Sequence, residues 1–425
     1  MKKKILHIST VDYGGAGTAA YNLHKSFMEA GNDSRMIVLN KKTNDEHVVE
    51  YKFPQFDLFR KGKRKVLYES RKKFKKDIVE KYNFFNYAEI DNYISTQSLI
   101  DQFSFLPDFI IIHSVTHFIN AKNINEIYKA TNKPIFWNLL DMAPMTGGCH
   151  YAWDCEGYKK HCGYCPGLSS KREKDVSRKN YEFKSRYLSE IPLTIIPTTH
   201  TLLQQVNSSS LFRDNAKVKI MLAVDATIFK PGEKSLARKT FNLSPSAKII
   251  FAGSQDVTEE RKGYHYFIES LEKLNELLTP NERENIIVLL AGHINKKIEI
   301  PFKMKCVGFL SEELLVKAYQ SSDLFLCASI EDSGPVMINQ AVMCGTPVVS
   351  FNMGVAPDLV ITGETGYLAK LRDSEDLAKG IRLIIEMDNT SYDTMSKNCR
   401  ELGLNDCHPF TQSNKFFELF NNHLI

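Results

Sequence analysis

An acidic pair, Glu331 and Asp332, stands directly before a small polar turn, Ser333-Gly334-Pro335. A run of helical spacing follows, Val336, Ile338, Ala341 and Val342, closed by Cys344 and Gly345. Proline just inside a helix start and glycine just past its end is the expected asymmetry of helix termini. The segment therefore predicts an acidic loop and then a helix whose first amide N–H groups face that loop. Such amides lack partners within the helix and carry partial positive charge, which suits a phosphate. Carboxylates beside them can hold hydroxyls. Phosphate next to hydroxyls describes a nucleotide-sugar.

Two further clusters carry their own chemistry. Cys149, Cys155, Cys162 and Cys165 form C-x5-C-x6-C-x2-C, with His150 and His161 inside the span. Four thiols so close suit a structural zinc or an iron–sulfur knot. Disulfides and free thiols stay open beside that reading, and structural zinc is placed first. No carboxylate–histidine set with an open position suggests a catalytic metal. Residues 60–76, RKGKRKVLYESRKKFKK, are strongly basic, and Val66, Leu67, Phe74, Ile78 and Val79 fall on roughly one helical face. A basic amphipathic helix suits an anionic membrane surface.

These residues need a scaffold. Apolar runs at 4–8, 34–39, 109–113, 135–138, 193–197, 249–252, 286–291, 324–327 and 347–351 alternate with helical patterns. Most are continuous rather than alternating, as expected of parallel strands covered on both faces. Strand–helix alternation implies βαβ units and an α/β fold of two doubly wound, Rossmann-like domains facing across a cleft. The expected division is 1–215 with a Cys-rich insertion at 141–167, then 216–405, then a terminal helix, 406–425, returning to the first domain. Each half opens on a strand that runs into a glycine-containing loop: Gly14-Gly15-Ala16-Gly17 in the first, and Gly253 to Arg261-Lys262-Gly263 in the second.

The chain has 425 residues, 43% hydrophobic and 25% charged, with a formal net charge of only +5. That balance does not describe a nucleic-acid binder. No apolar run approaches the ~18 residues of a membrane span, and the apolar stretch after MKKK is too short for a signal peptide. Nine cysteines without a secretion signal point to a reducing compartment. The expected location is cytoplasmic, peripheral at the inner face of the membrane.

The strand–glycine loop at the start, the Arg261-Lys262-Gly263 turn and the acidic-loop helix ending in CGTPVV resemble the family-four retaining glycosyltransferases of the GT-B fold. Residues 141–167 resemble the subgroup that builds colanic acid and related exopolysaccharides. The resemblance implies transfer of a sugar from a nucleotide-sugar donor to a glycan or lipid-linked acceptor, with retention and with no cofactor required for catalysis. It gives Arg261 and Lys262 to the donor diphosphate, Glu331, Asp332, Ser333 and Gly334 to the donor sugar and phosphate, and Gln340 to the ribose. Gly15, Gly253 and Phe309 join the donor site, and Asp141 lies near the acceptor. Asp332, Arg261, Lys262 and Asp141 are the catalytic candidates. Three positions depart from the family pattern. Asp332 and Gln340 stand where glutamates are usual, and Leu140 stands where a histidine precedes the aspartate. His113 and His117 are candidates to replace that histidine. Two other readings compete: a nucleotide-sugar epimerase on the same fold, and an inactive donor-binding partner subunit. The missing GxGxxG spacing weighs against an NAD dehydrogenase.

Overall fold

Apolar runs without alternation need cover on both faces, and helices on each side of a parallel sheet supply it. The computed structural model describes residues 2–54, 62, 78–84, 86, 89–91 and 94–422. Apart from Gly62, the basic segment 60–76 lies outside the described residues. The chain divides into two compact units. The first comprises Met1–Thr198, Leu202–Ile220 and Gln412–Ile425; the second comprises Thr199–Thr201 and Met221–Thr411.

The first unit is built on seven strands: β1 (Lys4–Val11), β2 (Asp33–Asn40), β3 (Val48–Glu50), β4 (Phe109–Ile112), β5 (Ile135–Leu139), β6 (Leu193–Pro197) and β7 (Ala216–Lys217). All pair in parallel in the order β3-β2-β1-β4-β5-β6-β7. Every residue of β4, β5 and β6 is buried. The strand order reverses between β1 and β4. The crevice beyond the carboxyl ends of strands at such a point is where open α/β sheets bind ligands.

The second unit has six strands: β8 (Lys248–Asp256), β9 (Ile286–His293), β10 (Lys303–Gly308), β11 (Leu324–Cys327), β12 (Val348–Phe351) and β13 (Gly366–Ala369). They too are all parallel, in the order β10-β9-β8-β11-β12-β13. Here the reversal falls between β8 and β11. Ile249, Phe251, Leu289, Phe325 and Val348 form the heart of this core.

Three expectations shift. The boundary expected at 215/216 moves to 220/221, because Ala216–Lys217 pairs with β6 as the last strand of the first sheet. The terminal segment begins inside the second unit, and only Gln412 onward belongs to the first. There Phe416, Leu419 and Phe420 pack with Phe27, Phe109 and Phe136, and Phe420 stacks on Phe109 with ring centroids 4.1 Å apart. Burying rings of this size is what docks the segment. Third, Gly14, Gly15 and Gly17 do not form a loop ahead of a helix. They are the first turn of the helix Gly14–Glu29 itself.

Candidate functional site

In the second unit the donor candidates collect at the strand reversal. After β8 the chain forms a short 3-10 turn, Glu260–Lys262, and enters the helix Tyr264–Leu277 through Gly263. Gly263 has φ +72°, and a Cβ there would lie 1.7 Å from the Ala328 carbonyl oxygen. Only glycine lets this turn press against the end of β11. That contact is fastened by the Arg261 carbonyl, which accepts from the N–H groups of Ile330 and Glu331 at 2.9 and 3.2 Å. Gly263→Ala combines a left-handed backbone, costing about 1–2 kcal/mol for a residue with a Cβ, with a backbone clash. It should lower the melting temperature of the second unit by about 5 °C or more, measured by calorimetry.

The two cations converge on one carboxylate. Arg261 Nη1 donates to Asp332 Oδ2 at 2.8 Å, and Lys262 Nζ donates to the same oxygen at 2.5 Å. Asp332 Oδ1 accepts from the N–H of Gly334 at 3.2 Å. The Asp332 side chain is 9% exposed, against 17% and 18% for Arg261 and Lys262. The carboxylate therefore anchors the cations from below, and they stand on the solvent side. Burial pushes the Asp332 carboxyl up, but Lys262, Arg261 and the Gly334 N–H outweigh it and hold the group below its ordinary range. A depressed folded pKa stabilises above the unfolded value of about 4 and is lost as pH falls through the folded value. Acid titration of stability should thus show a limb below about pH 4 that Asp332→Asn flattens.

Glu331, half-buried, and buried Ser333 stand beside Asp332, and the helix Val336–Met343 begins just after Gly334. Gln340 is half-buried on that helix, next to the hydroxyl of Tyr319 at 3.1 Å. Gly253 lies near the carboxyl end of β8. Phe309, 70% exposed, follows β10 and stacks on His293 at the end of β9, with centroids 5.8 Å apart. The structure therefore brings Gly253, Arg261, Lys262, Glu331, Asp332, Ser333 and Gly334 to one sheet end. Phe309 is two strand spacings, about 10 Å, from β8.

In the first unit Gly15 leaves open space where a Cβ would sit. Asp141 follows β5, and both its oxygens are engaged. Oδ1 accepts from the Ala143 N–H at 2.7 Å, and Oδ2 lies 2.9 Å from His150 Nδ1. Burial raises the Asp141 carboxyl, yet the His150 charge and hydrogen bond prevail and hold it low. A carboxylate so occupied orients its loop, which does not suit a nucleophile.

Asp141 also lines a cavity of about 30 Å³, with His113, Asn138, Glu89, Asn120 and Lys184. That is room for about two water-sized groups. Burial pushes His113 down to about 3, with His24 adding to the shift, so its ring is neutral at pH 7. Its Nδ1 lies 3.4 Å from Asn138 Nδ2, the amide donor, so Nε2 carries the proton toward His7 Nδ1 at 2.9 Å. Asn138 is 1% exposed, and its Oδ1 has no hydrogen-bond partner among the described residues. A buried acceptor of this kind demands a donor. His117, by contrast, is exposed. Asn138, Glu89 and Lys184 escaped the sequence reading. Asn138 alone had a signal, as a polar residue closing an apolar strand.

Cys149, Cys155, Cys162 and Cys165 line one cavity. Among the described residues no group of three or more His, Cys, Asp and Glu is placed to hold a metal ion. Cys162 Sγ accepts from the Gly147 N–H at 3.3 Å, and Cys155 Sγ from the Gly157 N–H at 3.5 Å. Burial raises the Cys162 and Cys165 thiols to about 12 and about 11, which keeps them protonated.

Residues 235–402 match the family described as Glycosyl transferases group 1. Curated relatives include a D-inositol 3-phosphate glycosyltransferase of Mycolicibacterium gilvum, 24% identical over 49% of this chain and 48% of its own length. An N-acetyl-alpha-D-glucosaminyl L-malate synthase of Bacillus anthracis is 20% identical over 49% of this chain and 54% of its own. The chain spans about half or less of the length of the first of these curated relatives. Among solved structures, the sucrose-phosphate synthase of Thermosynechococcus elongatus superposes with a TM-score of 0.63 at 16% identity, covering 100% of this chain and 99% of that one. An Anabaena protein solved with UDP and glucose gives 0.63 at 15%, covering 99% and 100%. These likenesses establish the fold, GT-B, with two parallel-sheet Rossmann-like domains.

Proposed function

We propose that the protein moves a sugar, with retention, from a nucleotide-sugar to a glycan or lipid-linked glycan in surface polysaccharide synthesis, a reading supported by the match of residues 235–402 to the group 1 glycosyl transferases. One observation carries this reading: Arg261 and Lys262 are gathered on Asp332 at the strand reversal, beside the start of the helix Val336–Met343. A departing nucleoside diphosphate gains negative charge, and fixed cations and amides stabilise it there without reorganisation. In this proposal Lys262 and Arg261 receive the diphosphate, the loop from Glu331 to Gly334 holds the donor sugar, Gln340 meets the ribose, and the Phe309–His293 stack receives the base. The leaving phosphate takes the acceptor proton, which removes the need for a protein nucleophile. The acceptor enters the first unit near Gly15, and one of its hydroxyls donates to Asn138 Oδ1.

The Anabaena relative solved with UDP and glucose supports a nucleotide-sugar as the donor class. No described helix is long and apolar enough to cross a membrane. A lipid-linked acceptor would be met at the bilayer surface through the basic residues 60–76, and co-sedimentation with anionic vesicles tests that point.

The decisive experiment is a thermal-shift screen of nucleotide-sugars. A donor at one hundred times its Kd should stabilise the protein by about 2.7 kcal/mol. Absence of any shift across uridine, guanosine and adenosine diphosphate sugars would sink the proposal. Consumption of the shifting donor without an acceptor would favour an epimerase instead.

A further inference from the structure

Gln340 stands where a carboxylate would accept two hydroxyl protons. An amide has one accepting atom and one donating atom, so its orientation decides what the site offers. Tyr319 settles that orientation. It is fully buried on the helix Glu312–Ser321, and its hydroxyl lies 3.1 Å from the Met337 carbonyl oxygen and 3.1 Å from the Gln340 amide atom placed as Oε1. A phenol has one proton for these two contacts. The Met337 carbonyl can only accept, so the proton goes there. The phenol oxygen then accepts, and the amide atom facing it has to be the Nε2 donor. Reversing the amide satisfies both contacts, whereas the placement with Oε1 inward satisfies one. The reversal moves no heavy atom beyond exchanging the two ends of one planar group.

We propose that Tyr319 is a positioning residue that locks the Gln340 amide with its carbonyl oxygen outward, so that glutamine accepts a ligand hydroxyl as a carboxylate would. The inference rests on the donor reading above and deepens it, since the hydroxyl is that of the donor's ribose. It also explains why a neutral residue is tolerated at this position. The accepting geometry is retained without a carboxylate.

The test measures binding of UDP and GDP, and of their 2′,3′-dideoxy counterparts, by calorimetry. Tyr319→Phe keeps the ring and removes the one group that, among the described residues, hydrogen-bonds the amide. It should weaken the ribonucleotide about 5- to 10-fold, the size of one neutral hydrogen bond, and leave the dideoxy form nearly unchanged. Gln340→Glu should preserve or tighten ribonucleotide binding. In the Gln340→Glu background the outward atom is an accepting oxygen in either orientation, so adding Tyr319→Phe should change affinity by no more than about 2-fold. An equal loss in both backgrounds would mean that Tyr319 acts through packing alone and would overturn the proposal. So would no loss in the Gln340 background. If Tyr319→Phe does not fold, Gln340→Glu decides by itself, and a collapse of ribose preference counts against the outward carbonyl. Failure of the wild type to bind either diphosphate would instead remove the donor reading on which the inference rests.

Discussion

Lys262→Ala should lower turnover by two or more orders of magnitude while leaving the fold intact. The size follows from the charge at stake. Removing one fixed donor from a developing anion typically costs about 3 kcal/mol, and each 1.36 kcal/mol is about tenfold in rate. The selectivity follows from the clamp. Lys262 uses one ammonium proton on Asp332 and an ammonium has three, so the contact that holds it in place leaves donors for a second anion. Its loss does not strand the Asp332 carboxylate, because Arg261 at 2.8 Å and the Gly334 N–H at 3.2 Å remain. Stability should therefore fall by only about 1 kcal/mol, the worth of one hydrogen bond. Steady-state kinetics and a melting curve on the same preparation separate the two effects. Lys262→Arg restores the charge and should recover much of the rate. Turnover near the wild-type value in Lys262→Ala would discard the phosphate role.

The sequence made the inner strands legible and hid the outer ones. β1, β2, β4, β5, β6, β8, β9, β11 and β12 each read as an apolar run, because a central parallel strand is covered on both faces. The strands it did not show are β3, β7, β10 and β13, and these are the four edges of the two sheets. An edge strand has one neighbour, and natural edges are kept short and polar. β7 has two residues and none of β10 is fully buried, so neither leaves an apolar run to read. The donor site was legible for a related reason. Its residues follow strands at a reversal of order, so they occupy the short segments 261–263 and 331–340, each next to a strong strand. The first-unit cavity was not legible in this way. Glu89, Asn138 and Lys184 come from three distant segments, and nothing local to any of them announces the others.

Lys184→Met should destabilise the first unit by about 3–5 kcal/mol, the usual cost of breaking a buried charge arrangement from one side. Lys184 lies on the helix Val176–Leu188 and is 3% exposed. Its ammonium donates to the carbonyls of Ala143 and Thr146 at 2.6 and 2.9 Å and lies 4.0 Å from Glu89 Oε2. One turn earlier Asn180 donates to the carbonyls of Asn86 and Gly147 at 2.7 and 2.9 Å. The helix thus pins the loop after Asp141 to the segment around Glu89, and the wall of the first-unit cavity is built from both. Methionine matches the length of lysine but leaves two carbonyls without donors and Glu89, 7% exposed, without its cation. For a unit of this size, 1 kcal/mol moves the melting point by about 2–4 °C, so the first-unit transition should drop by roughly 6 °C or more. The charge component can be isolated. Glu89→Gln removes the stranded carboxylate while keeping an acceptor for the Ala121 N–H, now 3.1 Å away. The double variant should regain a measurable part of the loss, because only the unsatisfied carbonyls remain. If Lys184→Met melts like the wild type, the ammonium is not what holds the loop. If the double variant is no better than the single one, the carbonyl contacts outweigh the ion pair.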